Sequence, residues 1–212
     1  MIMTWATKTL REFQDALASS DPTPGGGSAA GVALGQAAAL AVMVSDLTLS
    51  KDSLKEGWSI SEEVKVVALP LLDEGLELAS LDSEAFDAVV ESFRLPKGTE
   101  DEKANRRDSI RSATLGAAEV PFQTAIKALD LLKLLPELAQ KGNPNAASDV
   151  GVAGLLASAA LKGAVFNVDI NLESLPDSYG QEMRVLLPDI VEKGRVYSRQ
   201  CMEAVRLRLT NQ

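Results

Sequence analysis

From Ala29 to Val44 the chain carries no charged residue and is nearly continuous in small apolar side chains. Such a segment has no polar face to offer water, so it is a helix buried on all sides or a membrane span. It is rich in alanine and glycine and ends at Asp46, short of the roughly 20 strongly apolar positions that a span requires. The expectation is therefore a central helix in a protein core. Gly27, Gly31 and Gly35 recur at four-residue spacing on one face, where a neighbouring helix, from this chain or from a second subunit, can approach the backbone closely.

The rest of the chain supplies helices to surround it. Thr9 with Glu12, Ser59 with Glu62, and Thr99 with Glu102 match the capping box, in which hydroxyl and carboxylate satisfy free amides of a first turn. Asp82 suits the cap of a further helix. Leu10, Phe13, Ala16 and Leu17 recur with helical period, as do Val64, Val67, Ala68, Leu71 and Leu72, and then Phe86, Val89, Val90 and Phe93. Pro70, Pro121 and Pro188 lie inside helical patterns and predict kinks or breaks. The alternation from Asn167 to Leu172 is compatible with a short strand or with a helix end followed by extended chain. Tyr179 to Leu209 predicts a long helix bent at Pro188, with Leu186, Ile190, Tyr197, Cys201 and Val205 facing inward. The fold expected is all-α: one domain over residues 1–212, a bundle of about seven helices with proline-kinked long members.

Composition removes several function classes. Lysine and arginine total 21 against 30 aspartate and glutamate, a formal charge of −9, which repels nucleic acid. Cys201 is the sole cysteine, so no internal disulfide forms, and Met1 to Phe13 lacks the charged-then-apolar pattern of a secretory signal. A cytoplasmic location is expected. Histidine is absent, which excludes the commonest general base, the usual triads and most zinc sites. Catalysis must use Asp, Glu, Lys, Tyr or backbone groups.

Two loop-to-helix junctions hold the polar chemistry: Asp21-Pro-Thr-Pro-Gly-Gly-Gly-Ser28 and Gly142-Asn-Pro-Asn-Ala-Ala-Ser-Asp149. Gly25, Gly26 and Gly27 admit close ligand approach, and the free amides of the following helix favour an anion or a carbonyl oxygen. The same residues also make an ordinary tight turn, and no Gly-Lys-Ser/Thr follows to form a phosphate loop. Asp149 falls near a first turn, where the helix dipole stabilises an ionised carboxylate, as a ligand group or as a cap. Asn143 and Asn145 supply donors and acceptors or turn chemistry. Arg94 and Lys97 stand at a helix end in Phe93-Arg-Leu-Pro-Lys97. Lys103, Arg106, Arg107 and Arg111 read as a solvated, salt-bridged face, with Glu102 placed to neutralise Arg106. Glu119 is a carboxyl of raised pKa if buried, or a group facing water.

Four segments, in order and spacing, carry a resemblance: PTPGGGSAAG from Pro22 to Gly31, DSEAFDAVVESFRLPKGTEDEK from Asp82 to Lys103, AAEVP from Ala117 to Pro121, and GNPNAASDVGVAGLLASAALKGAVFNVDINL from Gly142 to Leu172. Together they resemble the C-terminal cyclodeaminase domain of formiminotransferase-cyclodeaminase and its free-standing relative, methenyltetrahydrofolate cyclohydrolase. The resemblance implies an all-helical homodimer that needs no metal and no cofactor beyond its tetrahydrofolate substrate. It also implies an enzyme that opens or closes the ring bridging two folate nitrogens. With no transferase segment before Met1, hydrolysis of 5,10-methenyltetrahydrofolate to 10-formyltetrahydrofolate is the expectation. The alternatives are ammonia-releasing ring closure of 5-formiminotetrahydrofolate and a non-catalytic folate-binding or scaffold relative.

The resemblance also assigns residues. Asp149 is the carboxylate expected to face the cationic bridge and activate water, and Lys97 the expected proton or hydrogen-bond donor. The amides of Gly25, Gly26 and Gly27, with Asn143 or Asn145, are expected to fix the pterin or formyl oxygen, and Arg94 and Lys51 to meet the glutamate tail. Ser28, Thr48 and Ser148 are further substrate-binding candidates. The family pattern Leu-Thr-x-Gly followed by lysines and a tyrosine is here Leu47-Thr-Leu-Ser-Lys-Asp-Ser-Leu54. Thr48 and Lys51 match it, while the additional lysines and the aromatic ring are missing. All these roles require the two loop-to-helix junctions to meet in space.

Overall fold

Small side chains decide how the centre is built. In the computed structural model, which describes residues 4–210, α2 (Gly26–Leu49) runs through the middle with Leu34, Ala37, Ala38, Ala41 and Val44 fully buried. Its glycine face lies against α3 (Trp58–Phe93). A Cβ on Gly31 would stand 2.7 Å from the Ala79 nitrogen and the Gly75 oxygen, and one on Gly75 2.7 Å from the Gly35 nitrogen. The close neighbour the glycines predict is thus a helix of the same chain, and the glycines allow the two backbones to touch.

The remaining α-helices are α1 (Leu10–Leu17), α4 (Glu100–Lys141), α5 (Ala147–Glu173) and α6 (Gln181–Thr210), with short 3-10 turns at Trp5–Thr7, Asp52–Gly57 and Pro144–Ala146. From α2 to α6 successive helices run antiparallel. α2 packs on α3 and α5, α4 on α3 and α5, and α6 on α4 and α5. Leu131, Leu132, Leu135 and Leu138 of α4 meet Val150, Val168 and the alanines of α5 in one hydrophobic core. α2 and the stretch Pro144–Glu173 are long and apolar enough to cross a bilayer by length and composition. Burial of 44% and 56% of these stretches against the other helices accounts for that share of their apolarity without lipid.

Capping boxes form at Thr9 and Thr99. The third does not: Gly57 is the N-cap of α3, and Ser59, already helical, places its hydroxyl 3.5 Å from Glu63. Asp82 sits inside α3 rather than at the cap of a helix of its own. Pro70, Pro121 and Pro188 do not break their helices, and neither does Pro136. Each long helix is held by its neighbours on both sides of the proline, so packing outweighs the lost amide bond. Asn167 to Leu172 is the last part of α5, not a strand. Val168 and Leu172 are buried one turn apart while Ile170 between them is 68% exposed, a helical period that mimics alternation. In α6, Ile190, Cys201 and Val205 are buried as expected, whereas Leu186 is exposed.

Candidate active site

α2 begins at Gly26, whereas α3, α4 and α5 continue past that level. The step leaves a cleft of about 200 Å³ above the α2 N-terminus, lined by the Pro22–Gly27 loop, Asp82 and Phe86 of α3, Ala117 of α4, and Asn167 and Asn171 of α5. The glycines are needed for contact as well as for the turn. A Cβ on Gly27 would lie 2.0 Å from Asp82 Oδ1, so only glycine lets this carboxylate reach the helix start.

Among the described residues, Asp82 is the only titratable side chain lining the cleft. Ser28 Oγ donates to its Oδ2 at 2.9 Å, and the Ser28 amide donates to it as well. Burial pushes the carboxyl above its ordinary range, and the two Ser28 hydrogen bonds oppose that shift. A carboxylate of raised proton affinity, kept ordered by two donors, is suited to act as a general base.

The asparagines add acceptors. Asn167 Nδ2 donates to the Gly163 carbonyl at 2.8 Å, and Asn171 Nδ2 donates to the Ala117 and Asn167 carbonyls, both at 2.9 Å. Asn171 commits both amide hydrogens to backbone and Asn167 one of its two, so each residue keeps its side-chain oxygen, and Asn167 also one N–H, for a ligand. The cleft therefore combines a carboxylate and two amide oxygens with the free N–H groups of the first α2 turn. That set suits a flat, cationic or N–H-rich heterocycle.

The second junction lies elsewhere. Asn143 donates its backbone N–H to Thr48 Oγ1 at 2.9 Å and its side-chain amide to the Leu47 carbonyl at 3.2 Å. Thr48 Oγ1 in turn donates to the Val44 carbonyl at 2.8 Å, Asn143 Oδ1 accepts from the Asn145 N–H at 3.1 Å, and Arg208 donates to the Gly142 carbonyl at 3.1 Å. Thr48 marks the far end of α2, about 33 Å from Gly26 at 1.5 Å per residue. Within one chain the two junctions do not converge, because α2 joins them as a straight spacer; the expected meeting would have to come from a pairing of two subunits.

The other expected residues are dispersed too. Asn145, Ser148 and Lys51 are exposed and Asp149 is partly buried in the first turn of α5. Arg94 and Lys97 are exposed at the α3–α4 turn, with Arg94 paired to Glu91 and roughly 18 Å beyond Asp82 along the chain direction. Arg106 donates to the Phe93 carbonyl and lies 5.4 Å from the Phe93 ring. Glu102 serves the amides of Gly98 and Thr99 rather than neutralising Arg106. Glu119 is exposed on a separate cleft between α3, α4 and α6.

Of the residues named from sequence, Gly25, Gly26 and Gly27 line the cleft, and Ser28 supports it from below. Asp82, Phe86, Asn167 and Asn171 were not named as site residues. They lie inside the quoted segments, but the signal available was the unexplained demand of Gly27 for a close neighbour. Among the described residues no cluster of His, Cys, Asp and Glu is arranged to hold a metal ion. Cys201 is buried and its thiol is pushed up to about 12 by burial, which removes it as a nucleophile.

Comparison with known proteins places these features in a family. Residues 9–185 match the family model described as formiminotransferase-cyclodeaminase. The chain is 36% identical over 200 residues to the methenyltetrahydrofolate cyclohydrolase of Methylorubrum extorquens, covering 94% of this chain and 96% of that one. It is 35% identical over 171 residues to the formimidoyltransferase-cyclodeaminase of Gallus gallus, covering 81% of this chain but 32% of that protein. A crystal structure of formiminotetrahydrofolate cyclodeaminase from Thermotoga maritima superposes with a TM-score of 0.75 at 30% identity, covering 97% of this chain and 98% of that one.

Proposed function

The chain belongs to the formiminotransferase-cyclodeaminase family, and from that membership we infer that it is an enzyme of one-carbon folate metabolism hydrolysing 5,10-methenyltetrahydrofolate to 10-formyltetrahydrofolate. The observation that carries this is the match to a cyclohydrolase over nearly the full length of both chains. Ammonia-releasing closure of the formimino substrate is the second reading, favoured by the structural neighbour named a cyclodeaminase.

We assign the chemistry to the cleft above α2. The substrate is a cation delocalised over two nitrogens, and Asp82 provides a counter-charge in a site partly withdrawn from water. Water adds to the carbon between the nitrogens while Asp82 accepts one of its protons. The tetrahedral adduct then collapses: its hydroxyl becomes the formyl carbonyl, the bond from carbon to the ring nitrogen breaks, and that nitrogen takes the second proton. The proton held by Asp82 passes to solvent, so the cation and water yield neutral product and one proton. Asn167 and Asn171 accept from N–H groups of the heterocycle, and the α2 amides face the forming carbonyl oxygen. This chemistry uses no metal and no cofactor besides the folate itself, and we place the protein in the cytoplasm.

A homodimer accompanies this reading. α5 turns Val152, Leu155, Phe166 and Ile170 outward at 46 to 70% exposure, and α2, which packs on α5, exposes Met43 and Leu47, apolar surface suited to a second copy. If two copies pair antiparallel across it, Lys51, Asn145, Ser148 and Asp149 of the partner subunit come beside the glycine cleft. That arrangement gives the second junction and its aspartate a place in the reaction.

Loss of methenyltetrahydrofolate absorbance with purified protein, corrected for the spontaneous rate, tests the activity. Turnover well above background is expected. Ammonia release from the formimino substrate without that turnover favours the second reading. A one-to-one mixture of Asp82→Asn and Asp149→Asn protomers tests a shared site: with each variant inactive alone, the mixture recovers about a quarter of wild-type activity if two-fold pairing joins the two residues, whereas Asp149→Asn alone keeps its turnover if it does not.

A further inference from the structure

The 3-10 turn Trp5–Thr7 is fastened beneath the cleft. Trp5 is 6% exposed and packs edge-on against Phe13 with ring centroids 5.6 Å apart. Its backbone N–H donates to Ser80 Oγ and its indole Nε1–H to Ser83 Oγ, both at 3.0 Å. Ser83 Oγ lies 3.0 Å from Ser28 Oγ, and Ser28 Oγ donates to Asp82.

Counting hydrogens fixes the direction of this chain. Ser28 has one hydroxyl hydrogen and gives it to the carboxylate, so Ser83 must donate in the contact between the two serines. Ser83 has then given away its own hydrogen and can only accept at the other contact, where the indole, a donor with no acceptor, supplies the proton. Three hydrogen bonds point one way, from Trp5 through Ser83 and Ser28 to Asp82. Such chains strengthen cooperatively in a buried setting.

We propose that Trp5 and Ser83 are positioning residues for the hydrolysis, because the donor-only indole sets the polarity of a buried relay that keeps Asp82 ionised and fixed in orientation. The proposal rests on Asp82 being the base, and it extends the active site to a residue outside the family-matched span. Trp5 also anchors the N-terminal turn, so the test must separate anchoring from positioning. The elements facing Asp82 present Gly26, Gly27 and Ser28 from α2, Trp5, Ala117 from α4, and Asn167 and Asn171 from α5, none of which titrates. On α3 the neighbouring carboxylates are Glu84 and Asp87, the latter accepting from Thr23 Oγ1 at 3.4 Å.

Trp5→Phe keeps the ring contact and removes the indole donor, and Ser83→Ala cuts the relay one step later with a smaller volume change. Each variant is expected to lower kcat about tenfold with KM within twofold. Each is also expected to move the acid limb of kcat/KM upward by about 0.5 pH unit, since lost donors disfavour the carboxylate. A carboxyl carbon-13 NMR titration should show the same displacement for Asp82 itself. In an Asp82→Asn background neither substitution should change the remaining rate. Unshifted profiles in folded Ser83→Ala and Trp5→Phe overturn the relay. Full turnover in folded Asp82→Asn overturns the underlying reading of the base instead.

Discussion

The two ends of α2 look alike in sequence and behave differently in the fold. Each is a loop rich in glycine, proline or asparagine that adjoins a helix start, and each brings a hydroxyl, Ser28 or Thr48, against another segment. At the Thr48 end the polar groups consume one another: Thr48 Oγ1 accepts from Asn143 and donates to Val44, and both Asn143 side-chain atoms are bound to backbone. At the glycine end the network stops at a carboxylate beside an open cleft, with asparagine oxygens left over. Polar residues that satisfy each other stitch helices together, whereas a network that ends unsatisfied beside solvent has capacity for a ligand.

The contrast can be broken most forcefully at Gly27. Gly27→Ala puts a methyl group where Asp82 Oδ1 now stands, and displacing the base by about 1 Å should cost on the order of 100-fold in turnover. Steady-state kinetics on the folded variant checks this, and wild-type turnover there contradicts the placement of Asp82. Thr48→Val should act the other way round. It strands the buried Asn143 N–H and should cost about 1–3 kcal/mol of stability, read as a lower urea midpoint, with a far smaller loss of kcat than Gly27→Ala in the protomers that remain folded.

A smaller effect sharpens the comparison further. Burial holds the folded Asp82 carboxyl above its ordinary value of 3.8, so between the unfolded and folded values the native state binds more protons. Stability from this group is complete below the unfolded value and declines as pH rises through the folded one. Asp82→Asn should therefore be at least as stable as wild type at neutral pH, with the advantage shrinking in acid. Thermal midpoints across pH measure it, and a variant clearly less stable at neutral pH means that the Ser28 hydrogen bonds outweigh burial. At the hairpin tip, Thr99→Ala removes a complete capping box and should cost about 1 kcal/mol without touching turnover.

Much of this was legible in the residues. The uncharged run fixed a buried centre, its glycine spacing foretold the backbone contact with α3, and the Thr9 and Thr99 boxes placed two helix starts. Ser59 and Asp82 misled because a capping residue type carries no information about whether the helix has already begun. The prolines allowed for kinks or breaks and no break forms, because local rules do not weigh packing along helices of 36 and 42 residues. The glycine loop could be named as a site, but Asp82, Asn167 and Asn171 could not. They are brought there by the antiparallel order of α2, α3 and α5, a long-range arrangement that no local pattern encodes. The same order separates Asn143–Asp149 from the glycines by the full length of α2.

Which end of α2 holds the folate is decided most directly by a crystal structure with 5-formyltetrahydrofolate, a stable analogue of the reacting species. The pterin should lie between the α2 N-terminus, Asp82, Asn167 and Asn171. Density for the pterin among Thr48, Asn143 and Asp149 of a single chain, with the glycine cleft empty, would contradict the account.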